Sequence, residues 1–418
     1  MLDNDLVIVG AGAAGLWAAG TAAEQGRRVL VVEKTGRPGT KVLASGGSRC
    51  NLTTTLGPNE AARLFGAAER FVQPALRALT PAEVRRRFEA LGVATVEEAH
   101  LEKVFPASQR AIDVRDALVR RAERAGARFM YAAQVQGLEQ FAEGWVVHTE
   151  RDKIQTAKAI LCPGGQSYPG TGTTGDGYRW LRELDLELVP PVPALVPLTS
   201  DAAWVRELSG VSVQEVEARL LDPKGRIVQR RRRPIVFTHH GLSGPGAMDL
   251  SSHVARAHFQ GAIRGWSVAL DLLPHLVIDA LRERLVDASR ASGGPHLLRV
   301  LGEDTVPQRL IEAATRQAGI DNVNPALHQL DRPRRNRLVD ALKGLLVPLN
   351  GTLGYDKAEV TAGGLALGEL DRNTMAVRRY PGLYACGEIL DLTGPIGGLN
   401  FQAAFATGDL AARHATRA

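Results

Sequence analysis

Cysteine is scarce in this sequence: Cys50, Cys162 and Cys386 stand far apart and form no CxxC pair. That argues against a disulfide framework and a cysteine-built zinc site, and it fits a reducing compartment. Long apolar runs are missing too. No stretch reaches the roughly 18 residues that a membrane span needs. The apolar run from Leu6 to Ala19 is broken by glycines and preceded by Asp3 and Asp5, where a signal peptide would carry positive charge. The expected location is the cytoplasm, with no membrane partner. Internal repeats and low-complexity segments are absent, so no repeat architecture is expected. An acidic excess is absent as well: 51 Lys and Arg against 45 Asp and Glu give +6. A basic balance suits a nucleic-acid partner, or a pyrophosphate cofactor with an acidic substrate. The arginines are spread along the chain, which favours the second and leaves nucleic acid unexpected.

What the sequence does have is glycine, 44 residues of it in clusters, the pattern of backbone brought close to a ligand. A chain of 418 residues also implies two or three domains. Residues 5–9 predict a buried strand and 28–33 a parallel one, with a glycine turn and an alanine-rich helix between them, a βαβ unit. Residues 74–92 and 113–125 predict amphipathic helices, 128–149 a hairpin turning near Glu143, and 158–162 a further strand. The proline cluster at 189–193 marks a boundary. Beyond it, 211–221, 226–237 and 266–272 suit an antiparallel sheet or small barrel. From 274 to 346 the pattern is helical, with starts at Pro274, Pro307 and Pro325. From 354 onward, strand, glycine turn and helix return. The expected class is α/β: a Rossmann-like domain split between 1–190 and 354–418, a β-rich insertion at 191–273 and 347–353, and a helical insertion at 274–346.

Gly10-Ala11-Gly12-Ala13-Ala14-Gly15 directly follows the first strand and opens the helix. Gly10 permits the tight turn, Gly12 lets backbone approach a pyrophosphate, and Gly15 lets helix and strand pack closely. Glu33 ends the second strand 18 residues after Gly15, where an acid takes the adenosine ribose hydroxyls and disfavours a 2′-phosphate. A second match, Gly170-Thr171-Gly172-Thr173-Thr174-Gly175, follows Tyr168-Pro169 rather than a strand. It reads as a loop against a ligand, so only one dinucleotide has a fixed seat. Lys41 and Arg49 bracket the small residues Ser45, Gly46, Gly47 and Ser48, which suits a loop over phosphates and a flat ring. Cys50 beside them reads as a packed small residue rather than a reactive thiol. Near the end, a strand leads into Gly387-Glu388, which can set a carboxylate on a polyol chain. The glycines at 394–398 then open a helix whose N-terminus can face a ring carbonyl.

Taken together, the segments IVGAGAAGLWAA, EKTGRPGTKVLASGGSRCNLT, VFPASQRAIDV, LCPGGQSYPGTGTTGDGYRW, IVFTHHGLSGPGAMDLS, VTAGG and PGLYACGEILDLTGPIGGLNFQAAFATG, in this order from residue 7 to 408, resemble the BaiN/YhiN-like (aminoacetone-oxidase-type) FAD-binding flavoproteins. The resemblance implies a glutathione-reductase-type, non-covalent FAD domain with a β-barrel-like and a helical insertion. It places the adenine and ribose at Gly10, Gly12, Ala13, Ala14, Gly15, Glu33, Lys34 and Val135. The pyrophosphate, ribityl chain and ring fall to Lys41, Gly46, Gly47, Arg49, Cys50, Asn51, Gly164, Gly165, Gly387, Glu388, Asn400, Phe401, Gln402 and Ala403. Two departures stand out: Ser48 replaces a usual third glycine, and Cys162-Pro163 replaces Ala-Thr. The implied activity is hydride transfer between flavin N5 and a small molecule, an amine or a conjugated ketone, with NAD(P)H as a transient reductant. The alternatives are a flavoprotein that modifies an RNA base and a non-catalytic flavin sensor. His239 and His240 read either as proton carriers at the substrate or as turn histidines bonded to backbone. Tyr168 and Arg110 are further candidates for the substrate space. The run Arg230 to Arg233 reads as a solvated hairpin edge before an anion or RNA site.

Overall fold

The computed structural model of the chain describes residues 4–98, 102–302, 304 and 306–417. The chain divides into two compact units, Met1–Val192 with Glu359–Ala418, and Pro193–Ala358. In the first, strand β1 (Asn4–Val9) pairs in parallel with β2 (Val29–Val32) on one side and with Lys153–Leu161 on the other. Arg128–Met130 extends the parallel set beyond β2. The tail returns as Leu383–Ala385, parallel to the end of Lys153–Leu161, and the hairpin Val135–Phe141/Gly144–Thr149 closes that side antiparallel. Both faces of the parallel strands are covered, so Leu6, Val7, Ile8 and Val9 are buried without alternation.

Helix α1 (Ala13–Ala23) is buried nearly all round because the C-terminal helix Leu399–Ala415 lies on it. The two backbones touch: a Cβ added to Gly408 would sit 2.6 Å from the Ala14 carbonyl oxygen. Trp17 stacks against Phe405 with ring centroids 4.9 Å apart. Trp17 Nε1 and Thr21 Oγ1 both donate to the buried carboxylate of Asp409, at 3.0 and 2.9 Å. Charge-assisted bonds of this kind fasten the far end of the chain onto its first helix.

Two local expectations are corrected. Residues 74–92 are not one helix but parts of two, Glu69–Ala78 and Pro81–Ala90. Thr80 caps the second by accepting from Glu83 N at 3.1 Å, and Pro81 occupies its first turn. Pro74, expected as a start, lies inside the first helix, where its missing N–H frees the Arg70 carbonyl to accept from Arg372 at 3.3 Å. Residues 128–130 form a parallel strand of their own rather than a hairpin arm. The proline cluster at 189–193 lies within a strand, Leu188–Ala194, and the division between units falls inside the cluster, after Val192.

The second unit contains an antiparallel sheet in the order Ile227–Arg232, Glu217–Leu221, Ser267–Asp271 and Leu345–Pro348, together with a five-stranded sheet of short strands. Helices Ile278–Arg290, Gln308–Gln317 and Arg332–Leu342 share one apolar core with these strands, in which Leu220, Leu270, Leu285, Leu310 and Leu338 are fully buried. Among the described residues, no helix is long and apolar enough to cross a membrane.

Candidate cofactor site

The glycines of the first turn owe their identity to different causes. Gly10 has φ of 101°, and a Cβ there would lie 2.5 Å from the Cys162 carbonyl oxygen; one on Gly15 would lie 1.9 Å from the Gly10 carbonyl oxygen. Both are therefore fixed by the protein's own packing. Gly12 has an ordinary φ of −79°, and a Cβ there would meet nothing within 4 Å. No protein neighbour demands glycine at that point, and the backbone there is open to close approach. Gly12 caps α1 without a side-chain bond, and no acidic residue stands in the first turn, where Ala13 and Ala14 follow. The unpaired first-turn amides are thus available to an anion.

At the end of β2, Glu33 is drawn back over this turn. Its Oε2 accepts from Ala11 N at 2.8 Å, while Oε1 accepts from Thr35 N and Thr35 Oγ1 at 2.8 and 2.7 Å. The carboxylate is thereby held half-buried beside the glycines, with further acceptor capacity on Oε2 for a hydroxyl. The Glu33 carbonyl accepts from Ala133 N at 3.0 Å, which brings the start of Val135–Phe141, and buried Val135, to the same edge. Lys34 is committed elsewhere: Nζ donates to Thr174 Oγ1 at 2.6 Å and to Asp176 at 2.7 Å.

A second cluster gathers residues from three distant segments. Lys41 Nζ donates to both Glu388 oxygens, at 2.8 and 2.6 Å, and to Ser167 Oγ at 2.6 Å. Ser167 Oγ in turn donates to Glu388 Oε1 at 2.7 Å. Gly165 and Gly387 lie at this junction, since a Cβ on Gly165 would come 3.1 Å from Glu388 Oε1 and one on Gly387 would come 2.8 Å from Ala14 Cβ. Gly164 turns the chain at φ of 82°.

The loop after Lys41 is a run of left-handed residues: Gly46, Gly47, Ser48 and Cys50 have φ of 54°, 66°, 68° and 61°. Arg49 faces away from an anion role, bonded to Glu98 at 3.1 Å and Gln109 at 3.0 Å with its guanidinium 4.0 Å above Phe105. Burial pushes the Cys50 thiol up to about 12, so it is a neutral packed side chain. Asn51 sits at the start of the C-terminal helix: a Cβ on Gly398 would lie 2.9 Å from its Oδ1. Asn400 shapes the preceding turn by exchanging two 2.9 Å bonds with Gly394. The Gln402 side chain is buried and spent on Leu79 O and Thr53 Oγ1, at 2.7 and 2.6 Å, and Ala403 is buried. Phe401 is half-exposed at the first turn of this helix. Ser167 and Thr361 fall inside the segments LCPGGQSYPGTGTTGDGYRW and VTAGG, but sequence reading gave neither a role.

In the second unit, His239 and His240 form the exposed tip of the turn joining Ile235–Thr238 to Gly241–Ser243, with ring centroids 4.0 Å apart. The arginine run alternates along an edge strand. Arg231 and Arg233 reach back to within 3.6 and 3.5 Å of buried Asp249, and Arg230 and Arg232 point outward. Tyr168 is 37% exposed at a left-handed turn, and Arg110 is exposed, 3.9 Å from Asp113.

Comparison with known proteins agrees with this geometry. A family model, the HI0933-like protein Rossmann domain, matches residues 4–414. A ribosomal RNA dihydrouridine synthase of Escherichia coli (strain K12) is 31% identical over 403 residues, 96% of either chain. A 3-dehydro-bile acid delta(4,6)-reductase of Clostridium scindens is 29% identical over 418 residues, 99% of either chain. Among solved structures, a 3-ketosteroid-delta4-(5alpha)-dehydrogenase of Rhodococcus jostii RHA1 superposes with a TM-score of 0.54 at 16% identity, covering 100% of this chain and 97% of that one. At that identity the likeness is one of fold.

Proposed function

Because the chain belongs to the HI0933-like family and is an FAD-dependent oxidoreductase with a Rossmann-type cofactor domain, we propose that it reduces a carbon–carbon double bond conjugated to a carbonyl group. The observation that carries this reading is a shared bond type in two full-length relatives. Dihydrouridine is uridine whose ring double bond beside a carbonyl has been saturated, and a delta(4,6)-reductase saturates a double bond in line with a ketone. FAD, when bound, supplies the hydride from ring N5. Saturating the bond would then need a proton delivered to the substrate's α-carbon, which falls to the chain.

The chain's own part is binding and orientation. The amides of α1 and the Glu33 carboxylate take the adenosine and pyrophosphate, and Glu388 takes the polyol chain. The N-terminus of Leu399–Ala415, which begins at Gly398, favours negative charge near the ring system. His239 and His240 are the proton donors this reading assigns. The second glycine-rich turn already carries its own carboxylate, Asp176, so NAD(P)H serves as a visiting reductant rather than a resident one.

A second reading, in which the double bond belongs to a uracil base in RNA, is favoured by the 31% identical relative and by the basic balance of the chain. Stopped-flow reduction of the bound flavin by NADH and NADPH tests the common reading. Rapid reduction, followed by reoxidation on adding a conjugated enone or a ribosomal RNA fragment, is the expected result. Reduction by amines alone would overturn it. Salt-dependent binding of the RNA fragment separates the two substrates.

A further inference from the structure

We infer that Thr361 is the positioning residue that sets Glu388 and the 164–167 turn for the cofactor, an inference that rests on Glu388 being a contact of the polyol chain. Thr361 lies in the strand Val360–Leu365 and is 1% exposed. Its hydroxyl oxygen accepts from two consecutive amides, Gln166 N at 2.8 Å and Ser167 N at 3.1 Å. Its own amide donates to Glu388 Oε1 at 2.8 Å. Its carbonyl accepts from Thr393 Oγ1 at 3.3 Å. One residue therefore ties together the turn after Lys153–Leu161, the Gly387-Glu388 turn and the segment leading to the C-terminal helix.

The consequence falls on the two oxygens of Glu388 unequally. Oε1 receives Lys41, Ser167 and the Thr361 amide, which fills its acceptor capacity. Oε2 receives Lys41 alone and keeps a lone pair for a hydroxyl donor. Thr361 thus fixes which oxygen is presented and keeps the carboxylate from rotating. Gly165 is part of the same device, because a Cβ there would strike Thr361 Oγ1 at 2.4 Å. The hydroxyl and the bare glycine have to coexist. Valine at 361 would keep the shape and leave the amides of Gln166 and Ser167 without an acceptor, whereas serine would restore it.

The test is a double-mutant cycle on FAD affinity, read by quenching of flavin fluorescence on titrating apo-protein, with the melting temperature of the apo-protein recorded alongside. T361V is expected to weaken FAD about tenfold, and T361S to stay within about twofold of the parent. E388Q is expected to weaken FAD by itself, and in the E388Q background T361V should add little, because the hydroxyl acts on that carboxylate by way of Ser167, whose amide it holds and whose Oγ donates to Glu388 Oε1. If T361V lowers the melting temperature and leaves FAD affinity unchanged, or if the two substitutions add in full, the inference is overturned. If E388Q leaves FAD affinity unchanged, the reading of Glu388 as a cofactor contact falls, whatever Thr361 does. Should T361V not fold, T361C, with similar volume and a weaker acceptor, carries the same cycle.

Discussion

The turns at 10–15 and 170–175 share one spacing of three glycines, yet the protein uses them in opposite ways. The first leaves a strand and enters α1 with no acid in its first turn and no side-chain cap. The second leaves a short 3-10 turn, Pro169–Thr171, and enters the helix Asp176–Glu183 with a carboxylate in its first turn, bonded to Thr174 and Lys34. Two of its glycines serve internal packing: a Cβ on Gly172 would lie 2.6 Å from Thr35 Cγ2, and one on Gly175 would lie 2.6 Å from Gln166 Nε2, whereas one on Gly170 would meet nothing within 4 Å. The first helix end is open to an anion and the second brings its own. Spacing alone does not define a phosphate seat; an unfilled helix terminus beside it does.

Substitutions sort the first turn's glycines into packing and binding roles. G15A forces a Cβ to within 1.9 Å of the Gly10 carbonyl oxygen. It should cost about 3 kcal/mol of stability, seen as a lowered denaturant midpoint in apo- and holo-protein alike. G12D meets no protein atom within 4 Å of its Cβ, so apo stability should barely move. FAD affinity should fall on the order of 100-fold, because a carboxylate then stands at the proposed seat of the pyrophosphate. Equal loss of apo stability in both variants would erase the distinction.

The second turn supplies the control. D176N removes the charge that fills its helix end and breaks a pair whose side chains are each 23% exposed. The expected cost is about 0.5–1 kcal/mol of stability, with FAD affinity within about twofold. A tenfold loss of FAD would mean that the second turn also grips the cofactor.

This contrast was only half legible in the sequence. The open state of the first turn follows from local order, strand then glycines then alanines, and Glu33 is near enough in sequence to be assigned with it. Filling of the second helix end by Lys34 and Asp176 joins residues 142 apart, and the Lys41–Glu388 pair joins residues 347 apart. No local pattern encodes such meetings. Nor does it show that Cys162 and Cys386, far apart in sequence, follow directly on paired ends of neighbouring parallel strands, or that Thr361 closes the Glu388 junction. The boundary at Thr80 was readable in principle, since a threonine before a proline with Glu83 three residues on is a helix-start signal. The apolar period running through it concealed the break.

Ser48 gives the smallest and most specific test, in a third glycine-rich loop. At φ of 68° it stands in the left-handed region that Gly46 and Gly47 occupy at no steric cost. A serine there carries about 1 kcal/mol of backbone strain. Glycine would relieve it and give part of the gain back through a more flexible unfolded chain. S48G should therefore stabilise the protein by about 0.5 kcal/mol, a rise of about 1 °C in Tm. Gly46, Gly47 and Ser48 are all exposed, and the loop is pinned from below by the Cys50 amide on the Ser45 carbonyl at 3.1 Å. Relief at 48 should thus leave the loop's shape and the FAD affinity unchanged. If S48G instead tightens FAD severalfold, the loop pays its strain at the cofactor, and it belongs with the open first turn rather than with the self-filled second.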